Sequence, residues 1–378
     1  MPRQYTKRRT GGGTVAAGFT RRAPSQYHPA LRKRAGPTMS TTSHKSIALW
    51  LLVCCALVFA MVVVGGVTRL TRSGLSIVEW APILGALPPL NLERWQAVFD
   101  MYKQTPEYQK VNVGMSLDEF KGIYWMEYAH RLLGRAIGLV FLLPFVYFLV
   151  RGRIDRPLVP KLTAMFVLGG LQGALGWYMV ASGLVDDPHV SPYRLTAHLG
   201  LAVLIYGFTL WTALDLLFPR HGAAAAWPRR GADVVAGLVF VMILSGGFVA
   251  GTKAGFAFNT FPTMNGQWLP PGAFALTPWW QNLFENIATV QFTHRLLALV
   301  VALTVAGFWL AARRHAAGAP ARLALHALLA ALAAQIALGI ATLVHVVPIP
   351  LAAAHQAGAV VLFSAALFTA HAVRRPPN

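Results

Sequence analysis

Four of the twelve histidines lie at a similar depth in four different apolar segments: His130, His198, His294 and His355. Each is four to eight residues from the predicted end of its segment, or roughly 6 to 12 Å along a helix. Paired imidazoles on neighbouring helices suit haem iron. The carboxylate set of a di-iron site and the thiolates or tight cluster of a zinc site are missing from the pattern. The spacing predicts two bis-histidine haem sites, and the alternative for any single histidine is a hydrogen-bonded polar residue inside a bundle.

The two histidine motifs differ at one ionisable position. Residues 127–131 read Glu-Tyr-Ala-His-Arg, whereas residues 291–295 read Gln-Phe-Thr-His-Arg. Glu127 is one helical turn before His130, so its carboxylate would point beside a bound iron and suit proton transfer. The alternative is an interfacial acid paired with one of three cations, Arg131, Arg135 or Lys121. The asymmetry predicts a catalytic site in the first half and a cofactor site in the second.

Membrane helices must position these residues. Of the 378 residues, 56% are hydrophobic and only 12% are charged, and the mean hydropathy is +0.51. Apolar runs of about 20 residues can cross ~30 Å of hydrocarbon. Eight such segments are predicted, near residues 47–67, 123–150, 161–181, 195–218, 233–251, 287–312, 323–345 and 351–373. The predicted fold class is an all-α polytopic membrane protein.

The second half of the chain repeats the first. Gly65-Gly66 matches Gly246-Gly247, and the motif from Gln172 to Gly176 matches the one from Gln335 to Gly339. Because each half contains an even number of spans, both halves enter the membrane in the same sense. We therefore predict two tandem four-helix bundles related by a pseudo-twofold axis along the membrane normal. The small residues that follow each histidine by four positions leave room for a flat ring: Gly134, Ala202, Ala298 and Ala359.

The domain boundaries follow from the same repeat. We predict a basic, disordered tail at 1–45, a first bundle at 46–220 that holds the catalytic site, and a second at 231–373 that holds the cofactor site. A long outer loop at 68–122 is predicted to form amphipathic helices on the membrane surface, with Trp80, Trp95 and Tyr102. Cys54 and Cys55 lie inside the first span and are predicted to pack in the core.

Basic residues cluster in the loops of one side, which predicts that both termini are inside. These loop residues are Arg151, Arg153, Arg156, Lys161, Arg220, Arg229, Arg230, Arg313, Arg314, Arg322, Arg374 and Arg375. The opposite loops are mixed or acidic, as at Asp186 and Asp187. Topology and the tail explain the net charge of +20, since ten of the 33 basic residues lie in the first 45 positions, and no nucleic-acid partner is predicted.

The start of the chain leaves two locations open. The acid-free tail also fits a mitochondrial transit peptide, and Met39 is an alternative start. The Ala-rich composition favours a bacterial chain, with the inner membrane as the location and the mitochondrial inner membrane as the alternative.

Cations near the outer ends of the spans are candidates to neutralise haem propionates, with interfacial anchoring as the alternative. They are Arg69, Arg72, Arg131, Lys253 and Arg295. The other histidines are predicted to be peripheral. His28 and His44 lie in the tail, His221, His315, His326 and His371 lie at inner ends or loops where solvated roles are expected, and His189 and His345 lie near the outer face.

In the motifs around Glu127 and the histidines, the chain resembles the haem A synthase family in its proteobacterial and mitochondrial form. The resemblance covers about residues 45–373 and rests on four motifs in order. The motifs are Gly65-Gly-Val-Thr-Arg-Leu-Thr-Arg-Ser-Gly-Leu-Ser-Ile-Val-Glu-Trp80, Trp125-Met-Glu-Tyr-Ala-His-Arg-Leu-Leu-Gly-Arg135, Phe261-Pro-Thr-Met-Asn-Gly266 and Phe292-Thr-His-Arg295. The Gram-positive branch carries cysteine pairs in the outer loops, and this sequence lacks them.

The resemblance implies an activity and a ligand set. Family members oxidise the C8 methyl of haem O to a formyl group by successive hydroxylations, giving the haem A of cytochrome c oxidase. It implies that His294 and His355 bind a haem b cofactor, that His130 and His198 receive haem O, and that Glu127 is the acid beside the substrate. A haem O synthase, an electron donor and a homo-oligomeric assembly are the further partners it leaves open.

Two other functions compete with this interpretation. A diheme b-type electron-transfer cytochrome explains four histidines but gives no reason for the contrast between Glu127 and Gln291. A transporter explains the repeat, but it ordinarily requires broken helices at the midplane.

Overall fold

The computed structural model describes residues 41–79, 84–184, 188–219, 226–314 and 318–374, together with the isolated Gly12. Several predictions fall outside these ranges: those for the tail before residue 41, including His28 and Met39, and those for Trp80, Asp186, Asp187, Arg220, His221, His315 and Arg375.

The described residues form α-helices joined by loops and short 3-10 turns, and they contain no β-strand. The helices are α1 (Thr41–Leu70), α2 (Leu92–Lys103), α3 (Pro106–Lys110), α4 (Leu117–Val150), α5 (Val159–Gly183), α6 (Pro192–Leu217), α7 (Ala226–Gly251), α8 (Ile287–Ala312), α9 (Ala319–Val344) and α10 (Ile349–Ala372). All except α2 and α3 are long and apolar enough to cross a membrane, which makes eight candidate spans in the described ranges. The prediction of an all-α polytopic membrane protein is confirmed. One detail differs: α1 begins at Thr41, so the last residues of the predicted tail are helical.

The eight long helices pack in two closed rings that share an apolar core. Helices α1, α4, α5 and α6 contact one another in sequence and α6 returns to α1, and α7 to α10 repeat this pattern. Helices α1, α6, α7 and α10 also contact across the two halves. Buried Val62, Val203, Val239 and Phe363 belong to one core in this central region. The predicted pseudo-twofold axis remains a prediction.

The four histidines lie on helices that begin at the same end of the rings, which we call the histidine end. His198, His294 and His355 follow the first residues of α6, α8 and α10 by six or seven positions, or roughly 9 to 11 Å.

Helix α4 begins earlier than predicted because a capping box starts it at Leu117. Ser116 Oγ accepts a hydrogen bond from Glu119 N, and Glu119 Oε2 accepts one from Ser116 N. The extra turns of α4 pack aromatic side chains against α2, with ring centroids 5.0 Å apart for Phe99 and Phe120. The outer loop therefore contains helices, and α2 packs against α4, whereas the place of these helices on the membrane surface stays a prediction.

Candidate functional site

Each of the four histidines packs the edge of its ring against a glycine on the preceding long helix. A Cβ atom added at that glycine would lie 2.9 or 3.0 Å from the histidine Cε1 in three cases and 3.5 Å from it in the fourth. A Cβ at Gly176 or Gly339 would force the histidine ring to shift, one at Gly65 would make a tight contact, and one at Gly246 would make an ordinary van der Waals contact. We call these four residues the glycine seats: Gly65 for His130, Gly176 for His198, Gly246 for His294 and Gly339 for His355.

A glutamine holds the backbone of one histidine in each half. Gln172 Nε2 donates to His198 O at 3.0 Å, and Gln335 Nε2 donates to His355 O at 3.0 Å. These glutamines and the seats on the same helices form the motif that marks the sequence repeat. The sequence carried this signal, but its role depends on contacts between helices and was not predicted.

The structure brings the histidines together as two pairs. The ring of His130 is close enough to that of His198 for the two to interact electrostatically, and the same is true of His294 and His355. All four side chains are half-buried. Nδ1 is buried without a hydrogen-bond partner in His130, His198 and His355. An unpaired buried ring nitrogen costs about 1 to 3 kcal/mol, and these three ring positions carry that cost. The paired rings and the small residues beside them fit haem.

Both oxygens of the Glu127 carboxylate are hydrogen-bonded. Oε2 accepts from Ser76 Oγ and Ile77 N, each at 2.8 Å. Oε1 accepts from Arg131 Nη2 at 2.7 Å and from Arg131 Nε at 3.0 Å. The carboxylate is nearly inaccessible, at 2% exposure. Glu127 lies on α4, one turn from His130, and therefore attaches the segment that follows α1 to this helix. The ion pair between Glu127 and Arg131, which the sequence offered as an alternative role, is present.

The second half fastens its own loop with the matched residues. Gln291 Nε2 donates to Ala254 O at 2.8 Å and also to Ala257 O. Gln291 Oε1 accepts from Arg295 Nη2 at 3.2 Å, and the same Nη2 donates to Phe258 O at 2.7 Å. The two motifs thus share one geometry, with an Arg one turn after the Glu or Gln.

The five candidate propionate contacts divide into two groups. Arg131 and Arg295 donate to carbonyl oxygens of the loops they fasten, such as Ile77 O at 2.8 Å and Thr260 O at 2.9 Å. Arg69, Arg72 and Lys253 lie where α1 and α7 end. Arg72 and Lys253 are exposed and share left-handed backbone conformations, with φ of 53° and 58°. Propionate contact by any of the five remains a prediction.

A second buried acid, Glu107 in α3, was not singled out from the sequence. Its side chain contacts Tyr102, whose hydroxyl donates to Glu107 Oε2 at 3.4 Å and accepts from Asn112 Nδ2 at 2.7 Å. Burial raises the pKa of Glu107 to about 7, and the charge of Glu127 adds to the shift.

A shallow, open groove lies beside this loop at the histidine end. Its volume is about 640 Å³, and its lining includes Thr71, Ser73, Asn112, Ile123 and Met126. It therefore borders the segment that Glu127 fastens.

The prediction of a solvated role for His371 is wrong. Its side chain is 0% exposed and its Nε2 lies 3.2 Å from Asp215 Oδ1 on α6. Trp211 packs on the ring edge-on, with centroids 5.5 Å apart. The partner is distant in sequence, so no local pattern indicated the burial. His326 and His345 are exposed, as expected for peripheral positions.

The fold and the site define a polytopic helical membrane protein with two histidine pairs near one end of the bundle. The model of the COX15-CtaA family, described as cytochrome oxidase assembly protein, matches residues 48–367. The chain belongs to this family.

Relatives with curated names cover most of the chain. The haem A synthase of Nitrosospira multiformis is 60% identical over 335 residues, which are 88% of this chain and 94% of that protein. The haem A synthase of Nitrosomonas eutropha is 56% identical over 87% of this chain and 94% of its own length. Haem A synthase COX15 of Arabidopsis thaliana is 46% identical over 88% of this chain and 76% of its own length.

Proposed function

We propose that this chain is a haem A synthase, an enzyme that oxidises the C8 methyl group of haem O to a formyl group. The product is the haem A of cytochrome c oxidase. Family membership and the names of relatives at 46 to 60% identity support the activity. The observation that carries it is the presence of two seated histidine pairs with a buried acid beside only one of them.

The two histidine pairs have different tasks. His130 and His198 receive haem O in the first half, and His294 and His355 are the axial ligands of a haem b cofactor in the second. Bound haem b supplies one-electron transfer. The chain contributes ring positions that are fixed before binding, because the glycine seats and the two glutamines constrain the histidines.

Glu127 serves the substrate half. In each of two successive hydroxylations of the methyl group, one oxygen atom of O2 is inserted into a C–H bond and the other is released as water, with two protons and two electrons from an external donor. Loss of water from the resulting gem-diol gives the aldehyde. The Glu127 carboxylate is one turn from His130 and is held in place by Ser76, Ile77 and Arg131. A fixed acid there can exchange protons with the reacting group or stabilise positive charge.

Cations at the histidine end anchor the haem propionates. Arg69, Arg72 and Lys253 are the principal candidates, since they lie where α1 and α7 end. Arg131 and Arg295 contribute to the same polar rim while they hold their loops.

The enzyme works in the bacterial inner membrane with both termini in the cytoplasm, as two tandem bundles. The bacterial relatives and the side on which the basic loops cluster support this location. The plant relative keeps the mitochondrial inner membrane as the alternative. The proposed partners are a haem O synthase that delivers the substrate, an electron donor and a second copy of the chain.

Expression in a host that makes haem O but lacks its own synthase tests the activity. Haem extracted from the membranes is separated by chromatography and identified by mass. We expect haem A when this chain is produced and none with the empty vector. Haem O without any haem A, from cells in which the chain is present in the membrane, overturns the proposal.

A further inference from the structure

Ser245 is in contact with the ring of one candidate cofactor ligand. Its hydroxyl oxygen lies 3.0 Å from His294 Nδ1, and the residue directly precedes the glycine seat Gly246 on α7. When Nε2 binds a metal, the ring proton is on Nδ1. In that state Nδ1 donates to Ser245 Oγ.

The matched position in the first half has no hydroxyl. Ser245 corresponds to Val64, which directly precedes the seat Gly65 on α1. His130 packs on that seat, and its Nδ1 is buried without a hydrogen-bond partner. The two halves therefore place equivalent rings on equivalent glycines but give a hydrogen bond to only one of the two rings.

A hydrogen bond to the second ring nitrogen affects a metal-bound histidine in two ways. It fixes the orientation and the tautomer of the ring, and it makes the coordinating nitrogen more basic. Removing such a contact typically weakens metal binding by about 10- to 100-fold. Of the two matched ligands, His294 has the contact and suits a permanent cofactor, whereas His130 lacks it and suits a haem that must arrive and leave. His355, the second proposed cofactor ligand, has no hydrogen bond at Nδ1, so the contrast between the halves concerns His294 and His130.

We propose that Ser245 is a positioning residue that makes His294 a permanent haem ligand, and that Val64 leaves His130 free to exchange its haem. This inference rests on the proposed function, because it assumes a cofactor haem in the second half and a substrate haem in the first.

Three substitutions test the cofactor side. Ser245→Ala removes the hydroxyl, and Ser245→Thr restores it on a larger side chain. Ser364→Ala is the matched control, since Ser364 is a serine on α10 that bonds Tyr206 at 2.7 Å and lies nine residues past His355. The measurements are the rate of haem b loss from purified protein in detergent, the midpoint potential and the electron paramagnetic resonance signal of the ferric haem.

We expect Ser245→Ala to lose haem b about tenfold faster than wild type, with a higher midpoint potential and a shifted resonance signal. Ser245→Thr and Ser364→Ala should behave as wild type. A Ser245→Ala protein that matches Ser364→Ala in all three measurements overturns the inference. If Ser245→Ala has no effect but the wild-type protein makes haem A, the inference about Ser245 has failed and the proposed function stands.

The reciprocal substitution tests the substrate side. Val64→Thr adds a hydroxyl at nearly constant volume at the position that matches Ser245, directly before the seat of His130. We expect several-fold more haem O and haem A to stay with the purified protein, and a lower output of haem A in membranes. Unchanged retention contradicts the part of the proposal that concerns Val64. A His294→Ala protein with the same haem absorption spectrum as wild type overturns both this inference and the proposed cofactor site.

Discussion

Glu127 and Gln291 occupy the same place in their motifs but face loops of opposite hydrogen-bonding character. The first loop presents donors to Glu127, namely Ser76 Oγ and Ile77 N. The second loop presents the acceptors Ala254 O and Ala257 O to Gln291. The exchange of acid for amide thus matches the local loop as well as the proposed chemistry. A test of Glu127 must separate these two roles.

Glu127→Gln keeps the size of the side chain but removes the charge and the exchangeable proton. We expect haem A formation to fall by at least about 100-fold, the usual contribution of a positioned acid or base, while haem b content is retained. The measurement is haem A per haem b in membranes of a host without its own synthase. Glu93→Gln, at an exposed site on α2, is the control and should be fully active.

Loop attachment is followed separately in the Glu127→Gln protein by protease cleavage at Lys103 and Lys110. Normal haem A output from the variant contradicts the catalytic role. Lost output together with rapid cleavage of the loop indicates that attachment, not proton transfer, is the role of Glu127.

The buried acid Glu107 predicts a pH-dependent outer loop. Its pKa in the folded chain is about 7, above the ordinary value of 4.5, so the folded loop binds more protons than the unfolded loop between these values. Stability of the loop therefore falls as pH rises from about 4.5 to about 7, by about 3 kcal/mol in total, and is constant above that. Cleavage of the loop by a protease active across this range, normalised to an unstructured peptide, should accelerate with pH. Glu107→Gln should remove the dependence, and an unchanged profile contradicts it.

At the scale of helices, the glycine seats connect the repeated motifs to the proposed chemistry. A helical glycine costs roughly 0.5 to 1 kcal/mol relative to alanine, so Gly65, Gly176 and Gly339, where a Cβ would lie within 3.0 Å of a histidine ring, indicate a packing requirement. The requirement is the approach of an imidazole edge from the next long helix. Helix packing therefore sets the depth and direction of each ring.

Gly339→Ala and Gly307→Ala form a matched pair of helix substitutions. A Cβ at Gly339 would lie 2.9 Å from His355 Cε1, whereas a Cβ at Gly307 has no neighbour within 4 Å. We expect Gly339→Ala to lower haem b affinity at least about tenfold by displacing the ring, and Gly307→Ala to leave it unchanged. Haem titration of the purified apoproteins measures both. Equal haem b affinities of the Gly339→Ala and Gly307→Ala proteins contradict the role of Gly339 as the seat of His355.

The sequence was sufficient to predict the spans, because apolar length is a local signal. The pairing of the four histidines and the burial of Glu127 are seen in the structure, and their roles as haem ligands and catalytic acid stay predictions. The boundaries of α4 and α1 differed, since capping at Ser116 and continued helix at Thr41 are finer than hydropathy can resolve. The glutamine contacts and the glycine seats lay in recognised motifs, but their roles depend on neighbouring helices. His371 could not be predicted as buried because its partner Asp215 is 156 positions away.

At the scale of the whole molecule, the two halves are joined by specific polar contacts as well as by the apolar core. Gln356 on α10 donates to Val62 O on α1 at 2.7 Å, and His371 Nε2 on α10 lies 3.2 Å from Asp215 Oδ1 on α6. Such contacts fix the relative position of the halves, which the proposed electron transfer between two haems would require.

His371 on α10 and Asp215 on α6 make one of these contacts between the halves. His371→Ala removes the hydrogen bond and leaves a void, so we expect a loss of about 2 to 4 kcal/mol and a lower thermal midpoint in detergent. His326→Ala, at an exposed site on α9, should change stability by less than about 0.5 kcal/mol. Equal midpoints for the two variants contradict a structural role for the buried pair.

The haem inventory of purified wild-type protein tests the central claim most directly, because it reports the cofactor and the reaction products together. The haems are extracted from protein produced in a host that supplies haem O, then separated and identified by mass. We predict haem b accompanied by haem O, a hydroxylated intermediate or haem A. Unmodified haem b alone contradicts the synthase and favours an electron-transfer cytochrome.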